Sequence, residues 1–237
     1  MKKIYMLGLI CCLSACQSPN QAISFNQHAK HVINTTIPKI ILKPKPIPAS
    51  YQMWTMQADH QQQIQAYKNF LKAQGIDAFI PDFEFFQTAR DWQKCHYVEY
   101  EVPPRELWNN IVTTLNILHK LLQQGRVYQI TVTSVYRSFA LNQCAGGAGA
   151  SKHVFNAALD FRIGSETPDP IEQIHIENTK KKLCEFWIAQ GEALNMGLGV
   201  YASGQIHIDT AGYRTWGGDH RYTSSPCISN SFNNNND

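Results

Sequence analysis

Apolar residues recur at helical spacing in three segments of the chain. The first segment ends at Gly75, the second lies between Pro103-Pro104 and Gly125, and the third runs from about Pro170 to Gln190. Helices favour Pro at their start and Gly just past their end, which is the order found around the second segment. The spacing predicts a helix in each segment. The apolar positions of the first two are Ile64, Tyr67, Phe70 and Leu71, then Leu107, Ile111, Leu115, Leu118 and Leu122.

Three later segments alternate apolar and polar residues, as strands with one buried face do. In the second of them Asp160 lies on the polar face, and in the third Gln205, His207 and Asp209 do. Helices followed by short amphipathic strands predict an α+β fold. We expect a small, mainly antiparallel sheet with helices packed on its aliphatic side. The three segments are residues 128–134, 158–163 and 205–209.

Aromatic residues are concentrated between the first two predicted helices, from Ile80 to Cys95. Two interpretations are open for this segment. Its rings pack it onto the domain, or they line an aromatic substrate cleft. Packing is favoured, because large aromatic side chains are the commonest bulky contributors to protein cores.

Composition sets the limits of the folded domain and of its partners. A net charge of +3 with 16% charged residues leaves no basic cluster, which argues against nucleic acid as a partner. Residues 52–228 are numerous enough for one domain with its own core. Residues 16–51 are polar and then rich in Pro, which predicts a flexible tether, and the Asn-rich residues 229–237 predict a disordered tail.

The N-terminus has the pattern of an export signal. Two lysines precede an apolar run, Ile4 to Leu13, that is too short to span a bilayer. The run ends in Leu-Ser-Ala-Cys, which resembles the lipobox of bacterial lipoproteins. That resemblance implies a signal peptide over residues 1–15 and lipidation of Cys16. Gln17 stands where lipoproteins of the inner membrane carry Asp, so the resemblance implies a lipid anchor in the outer membrane that faces the periplasm. The alternative is an ordinary secretory signal, and either way the protein is exported to the cell envelope.

Four cysteines remain after the signal, and none of them forms a Cys-x-x-Cys pair, which argues against a structural zinc knot. An oxidising compartment favours disulfides instead. Three pairings are possible, of which we predict Cys95–Cys144 and Cys184–Cys227.

Two histidines and one aspartate form a candidate metal site. His153 precedes Asp160 by seven residues, and His207 lies on the third predicted strand. Two imidazoles and one carboxylate suit a zinc ion that keeps its fourth position for water, as catalytic zinc does. An odd spacing of seven would place the first two ligands on opposite faces of an unbroken strand, so the chain must turn between them. Asn156, which tolerates unusual backbone dihedrals, is the expected position of that turn.

An ordered set of motifs surrounds these residues. It comprises Ser134-Val-Tyr-Arg-Ser138, Leu141-Asn142, Gly146-Gly147-Ala148, Ser151-x-His153, Ala158-x-Asp160, His207-Ile-Asp-Thr210 and Arg214-x-Trp216-Gly217. Over residues 128–218 this order resembles the signature of the zinc D-alanyl-D-alanine carboxypeptidases, whose wider group includes murein endopeptidases and the Hedgehog signalling domain. The resemblance implies a Hedgehog/DD-peptidase-like fold, and it implies peptidoglycan as the partner. It also implies one Zn²⁺ per chain, bound by His153, Asp160 and His207.

The same resemblance implies roles for residues around the metal. Arg137 becomes the residue that steadies the scissile carbonyl or a substrate carboxylate, as a charged guanidinium with a rigid fork of donors can. Ser151, Asn142 and Trp216 become residues of the substrate pocket. Ser151 has an alternative role, in orienting His153 or capping a turn.

The general base is where this chain departs from the family pattern. Many relatives place Glu or His two or three residues before the second zinc histidine, where this chain has Gln205 and Gly204. Neither residue accepts a proton at neutral pH. Asp209 is the first candidate for the base, with orientation of a zinc ligand as its alternative role. His220 is the other candidate.

Three functions are compatible with these features. The first is a zinc-dependent peptidase that hydrolyses D-amino-acid-containing stem peptides or cross-links of peptidoglycan. The second is a zinc-bearing but weak or inactive protein that binds the cell wall, for which the missing Glu is the reason. The third is an unrelated zinc hydrolase such as an amidase.

Overall fold

The computed structural model describes residues 45–57 and 59–228. The predicted signal peptide, the lipidation site Cys16 and the predicted tail at residues 229–237 lie outside the described residues, as does most of the predicted tether. The described end of that tether is packed: Tyr51 is buried, and Lys45 forms an ion pair of 2.5 Å with buried Glu84. Folded structure therefore extends to Lys45, seven residues before the expected boundary. Within the described part, no helix is long and apolar enough to cross a membrane.

The three predicted helices are present, and only the start of the second differs from the prediction. The first ends at Ala73, before Gly75, whose φ of +79° suits glycine. The second opens with a 3₁₀ turn over Arg105–Asn110 before the α-helix begins. The third has the predicted bounds. In chain order the helices are α1 (Ala49–Thr55), α2 (His60–Ala73), α3 (Asp82–Phe85), α4 (Ile111–Gln123), α5 (Phe139–Cys144) and α6 (Pro170–Gln190); two more 3₁₀ turns lie at Lys152–Phe155 and Tyr222–Ser224.

Five strands form one sheet in the order β1-β2-β4-β3-β5, with antiparallel neighbours except for the parallel pair β3 and β5. This confirms the predicted α+β fold with a mainly antiparallel sheet. The first predicted strand is shorter than expected, because Gln129 has a φ of 50° and the extended chain begins only at Thr131. β3 and β5 were not predicted. The strands are β1 (Thr131–Ser134), β2 (Ala158–Arg162), β3 (Gly197–Val200), β4 (Gln205–Asp209) and β5 (Arg214–Trp216).

The two faces of the sheet have the predicted division of residues. Leu159 and Phe161 of β2 and Ile206 and Ile208 of β4 are fully buried, in one core with residues of α4 and α6. The helices therefore pack on the aliphatic face, as expected. Polar side chains of the same strands lie on the opposite face, where the metal ligands were predicted.

The aromatic segment packs into the core, as favoured from the sequence. Phe85 and Phe86 are buried, and both rings contact Tyr67 of α2, at centroid distances of 5.6 and 6.2 Å. Both predicted disulfides are present. Cys95–Cys144 joins the last residue of the aromatic segment to the end of α5, and Cys184–Cys227 joins α6 to the C-terminal segment.

Candidate metal centre

The strand register brings the three predicted ligands together. Asp160 of β2 is directly opposite His207 of β4, and paired residues of antiparallel strands carry their side chains on the same face. His153 reaches that face from the 3₁₀ turn before β2. The turn ends at Asn156, which is left-handed (φ 50°, ψ 42°) and donates through Nδ2 to the Tyr67 hydroxyl at 3.0 Å. The predicted change of direction at Asn156 is confirmed.

The ligand atoms converge on one small volume. Asp160 Oδ1 lies 2.8 Å from His207 Nδ1 and 3.1 Å from His153 Nε2, and the two nitrogens are 3.2 Å apart. All three residues are buried within the site, and their ligand atoms lie within 4.8 Å of one another. In the described ranges this is the one group of three or more His, Cys, Asp or Glu with such spacing.

The other ring nitrogens show which atoms are available to a metal. His153 Nδ1 lies 2.6 Å from the Val135 carbonyl oxygen, and because a carbonyl only accepts, Nδ1 carries the proton. The lone pair on His153 Nε2 therefore faces Asp160. His207 makes its outer contact through Nε2, at 2.9 Å from Asp209 Oδ2, which leaves Nδ1 toward the site. A carbonyl or carboxylate behind each ligating imidazole is the usual arrangement at zinc sites, so the residues present fit zinc.

The charges of the two histidines differ in the metal-free site. Burial and the neighbouring Arg137 charge lower the pKa of His153 to about 4, so this ring is neutral at physiological pH. Burial also opposes a charge on His207, but the hydrogen bonds to Asp160 and Asp209 outweigh it and raise the pKa of His207 to about 9. Burial disfavours the Asp160 carboxylate as well, yet His153 and Arg137 hold its pKa well below the usual range.

Asp209 lies behind the His207 ring, on the side away from Asp160. It is almost fully buried, and its Oδ2 accepts hydrogen bonds from His207 Nε2 and from Arg214 at 2.7 Å. Its Oδ1 accepts the Ala211 backbone N–H at 2.9 Å. Although burial opposes its charge, the contacts with His207, Ala211 and Arg214 lower the pKa of Asp209 to about 2. Of the two roles expected for Asp209, this position favours the orientation of His207.

Arg137 is engaged with the ligands. Its guanidinium forms a short ion pair with Asp160 through one terminal nitrogen and donates through Nε to Ser134 Oγ at 2.8 Å. Its backbone N–H donates to the His153 carbonyl at 3.3 Å. Arg137 also lines the cavity over the site. It is therefore placed to hold Asp160 and to face a substrate at once.

A cavity of about 410 Å³ opens above the three ligands. Of the residues predicted to contact substrate, Ser151 and Trp216 line it, as does His220. The Trp216 ring also packs on His207, with the centroids 5.2 Å apart. Contact of Ser151 and Trp216 with a substrate stays a prediction.

Asn142 does not line that cavity. It is fully buried beneath the loop after α5, where its Nδ2 donates to the Ala148 carbonyl at 3.0 Å. A side chain at Gly147 would collide with the Asn142 amide. Asn142 therefore supports the loop that borders the cavity, instead of the direct substrate contact that we expected.

Gln205, at the position where the resemblance implies an acid or a histidine, also lies outside the cavity lining. Its side chain is buried against β1 and donates a short hydrogen bond to Thr133 Oγ1. Gln205 therefore contributes to packing between strands in this chain.

Sequence reasoning missed Tyr201, which lines the cavity at the end of β3. Its signal was present in Gly197-Leu-Gly-Val-Tyr201, where Leu198 and Val200 alternate with residues of the other face. We overlooked the pattern because glycines occupy the polar positions. The two glycines are needed there: a Cβ on Gly199 would lie 2.7 Å from Trp216 Nε1, and one on Gly197 would lie 2.6 Å from Asp209 Oδ1.

Comparison with known proteins agrees with this geometry. No curated protein matches the chain. Residues 83–186 match the model of a family described as Peptidase M15. The matched segment includes Arg137, His153 and Asp160, while His207 comes from β4 outside it. The segment that carries these three residues is therefore similar to the Peptidase M15 family.

Proposed function

We propose that this protein is a zinc-dependent peptidase that hydrolyses D-amino-acid-containing stem peptides or cross-links of peptidoglycan. The match of residues 83–186 to the Peptidase M15 family supports a peptidase. The observation that carries the zinc proposal is the convergence of His153 Nε2, Asp160 Oδ1 and His207 Nδ1, ligand atoms that lie within 4.8 Å of one another. The peptidoglycan proposal is supported by the motif resemblance over residues 128–218.

Zinc would be held by those three side chains. Bound there, it supplies Lewis acidity and lowers the pKa of water from about 15.7 to near 7. The protein holds the ligands rigidly: the Val135 carbonyl and the turn at Asn156 fix His153, Arg137 holds Asp160, and Asp209 holds His207.

The charges around the cavity suit an anionic peptide. Arg137, Lys152 and Arg214 line it, and its two carboxylates, Asp160 and Asp209, are each paired with an arginine. Stem peptides carry free carboxylates, including the one at a D-Ala terminus. A guanidinium recognises such a group by paired hydrogen bonds, which the outward part of Arg137 can supply.

We propose His220 as the residue that accepts the proton of the attacking water. It lines the cavity, is exposed, and has a left-handed φ of 62°, a backbone conformation that is rare for a non-glycine residue and is enriched at functional sites. Asp209 is disfavoured because both of its oxygens already accept hydrogen bonds behind the His207 ring.

A second candidate function is binding of the cell wall by the zinc site with little or no turnover. One specific observation favours it. Among the described residues that line the cavity none is a glutamate, and the two aspartates are engaged by arginine and histidine. The two candidates make opposite predictions for turnover and the same prediction for binding.

Digestion of purified sacculi separates these functions. The zinc-loaded protein should release fragments whose masses show cleavage at D-amino-acid peptide bonds, and EDTA should stop the release until zinc is restored. Free D-Ala identifies a carboxypeptidase, and separated cross-linked peptides identify an endopeptidase. Sedimentation with sacculi without any release supports the second candidate. Cleavage between sugar and peptide would instead identify an amidase and contradict the proposal.

We further propose that the protein is lipid-anchored through Cys16 in the outer membrane and faces the periplasm. The support is the sequence at residues 13–17. Growth with a labelled fatty acid should mark the protein, and Cys16→Ser should abolish the mark. An unlabelled wild-type protein that is released from the cell would establish the ordinary secretory signal instead.

A further inference from the structure

Tyr201 belongs to the metal-binding face of the sheet. β3 and β4 are antiparallel, and Gly199 is directly opposite His207. Residues two apart on a strand share a face, so Tyr201, which follows Gly199 by two, projects to the same side as His207. It lines the cavity together with Arg137 and Asp160.

The backbone holds Tyr201 in one place. Its N–H donates to the Gln205 carbonyl at 3.0 Å, and its carbonyl accepts the Gly204 N–H at 3.2 Å, in the tight connection between β3 and β4. Gly204 has a φ of +80°, and a Cβ there would lie 2.6 Å from the Ile163 carbonyl oxygen, so the connection needs glycine. The backbone that carries the Tyr201 ring is therefore fixed.

The hydroxyl group of Tyr201 has a defined direction of hydrogen bonding. Trp216 Nε1 lies 3.0 Å from the Tyr201 oxygen, and an indole N–H only donates, so the tyrosine oxygen is the acceptor. The proton of the Tyr201 hydroxyl finds no acceptor within residues 45–57 and 59–228. Burial raises the pKa of Tyr201, so the hydroxyl stays protonated at neutral pH. A neutral O–H donor is thus available at the cavity wall.

Peptide hydrolysis needs donors at the carbonyl oxygen. A C–O bond forms between water and the carbonyl carbon, and negative charge develops on the carbonyl oxygen before the C–N bond breaks and the amine leaves with a proton. Arg137 was expected to stabilise that charge, but its Nε is bound to Ser134 and one terminal nitrogen to Asp160. A second donor facing the same cavity would therefore complete the stabilisation.

We propose that Tyr201 is a catalytic residue, whose hydroxyl donates a hydrogen bond to the carbonyl oxygen of the cleaved bond while Trp216 holds that hydroxyl in place. Tyr201 keeps its proton throughout, so the atom balance is that of simple hydrolysis. This inference rests on the proposed peptidase function, and it assigns to Trp216 the positioning of Tyr201 in addition to contact with substrate.

Tyr201→Phe in the zinc-loaded protein tests the proposal, because it removes only the hydroxyl. We expect kcat to fall by about 10- to 1,000-fold with little change in KM, since one oxyanion donor is commonly worth up to about that factor. A phosphinate analogue of the cleaved peptide, which carries a charged oxygen at that position, should bind more weakly by a similar factor in calorimetry. Zinc content and melting temperature should not change.

Tyr213→Phe is the matched control. Tyr213 stacks on Trp187 at 4.3 Å and does not line the cavity, so its loss of a hydroxyl should leave kcat and phosphinate binding unchanged. An unchanged kcat or unchanged phosphinate affinity in Tyr201→Phe would overturn the inference. So would a rate loss that comes with an equal loss of zinc. The wild-type protein is assayed first: if it releases nothing from sacculi, the proposed function fails, and that result is distinct from a failure of Tyr201.

Discussion

The two halves of the sheet hold their proposed metal ligands in different ways. In the N-terminal half, residues 131–162, the backbone fixes His153: a carbonyl of the chain accepts its Nδ1–H, and the turn at Asn156 sets its direction. In the C-terminal half, residues 197–216, side chains fix His207: Asp209 binds its outer nitrogen and Trp216 packs on its ring. A ligand fixed by backbone is insensitive to changes in neighbouring side chains, whereas one fixed by side chains depends on each of them.

The glycines of β3 explain why the C-terminal half can use so many side chains. Gly197 and Gly199 leave space above the strand, and Asp209, Arg214 and Trp216 fill it. Arg214 lies over the Trp216 ring, 5.2 Å from its centroid, and also binds Asp209. The layer over β3 is therefore one connected network that ends at His207.

Loss of either histidine should have the largest effect on zinc content and turnover. The effect should be the same for His153 and for His207. His153→Ala and His207→Ala each remove one of three ligands, so we expect metal analysis to find almost no zinc and assays to find only background turnover. His175→Ala is the control, because this ring contacts Tyr128 and does not line the cavity. Full zinc retention in both ligand variants would contradict the site.

The two disulfides lie beside the two halves and should stabilise the protein about equally. They close loops of similar length, with separations of 49 and 43 residues, and the loss of loop closure should cost about 4 kcal/mol of unfolding free energy in each case. Urea unfolding of Cys95→Ser/Cys144→Ser and of Cys184→Ser/Cys227→Ser measures this. A loss below about 1 kcal/mol in one of them would show that the segments it joins are already held together without the bond.

Asp209→Asn should affect the C-terminal half alone, because it weakens only the side-chain support of His207. We expect zinc affinity to fall by about 10- to 100-fold, with activity restored at high zinc. Asp219→Asn is the control: this side chain is half-exposed and binds Ser224 in a surface turn. If affinity is unchanged while kcat falls by about 100-fold or more, Asp209 is the general base and our assignment of its role is wrong.

Gly199→Ala should disturb the C-terminal half through packing alone. A Cβ at this position would lie 2.7 Å from Trp216 Nε1 and must displace the ring, which should cost about 1–3 kcal/mol of stability and lower the turnover rate. Gly218→Ala is the matched control, because a Cβ there has nothing within 4 Å and the φ of Gly218 is not in the left-handed range. Equal melting temperatures for the two variants would show that the layer over β3 tolerates a shift of Trp216.

The smallest expected effect is the change of folding stability with pH in the zinc-free protein. This change should report on the charges of both histidines. His153 has a folded pKa of about 4 against an ordinary value of 6.5, so the unfolded chain binds more protons between these values and stability rises with pH there. His207 has a folded pKa of about 9, so its contribution is full below 6.5 and is lost as pH rises through 9. Melting temperatures in EDTA should therefore be highest near pH 6.5. His153→Gln should flatten the acid side and His207→Gln the alkaline side; no change on either side would contradict the assigned charges.

The alternation of side chains between the two faces of a strand made the site predictable from sequence. The period of two placed Asp160 and His207 opposite their aliphatic neighbours, and the odd spacing to His153 required the turn that the structure has at Asn156. Both disulfide pairs were also predicted correctly. The strand faces and the turn depend on short stretches of chain, where the geometry of a strand or turn leaves few choices. The disulfide pairs do not, because their cysteines lie 49 and 43 residues apart.

The sequence by itself determined the fold class, the two faces of β2 and β4, and the residues able to bind metal. Only the tertiary structure decided which nitrogen of each histidine is available, that Asp209 lies behind His207, that Asn142 supports a loop, and that Tyr201 faces the cavity. The available nitrogen of His153 and the place of Tyr201 depend on partners distant along the chain: Val135 lies 18 residues from His153, and Trp216 lies 15 from Tyr201. Local periodicity says which face a side chain occupies, but the atom that it presents depends on neighbours that only folding brings within hydrogen-bonding distance.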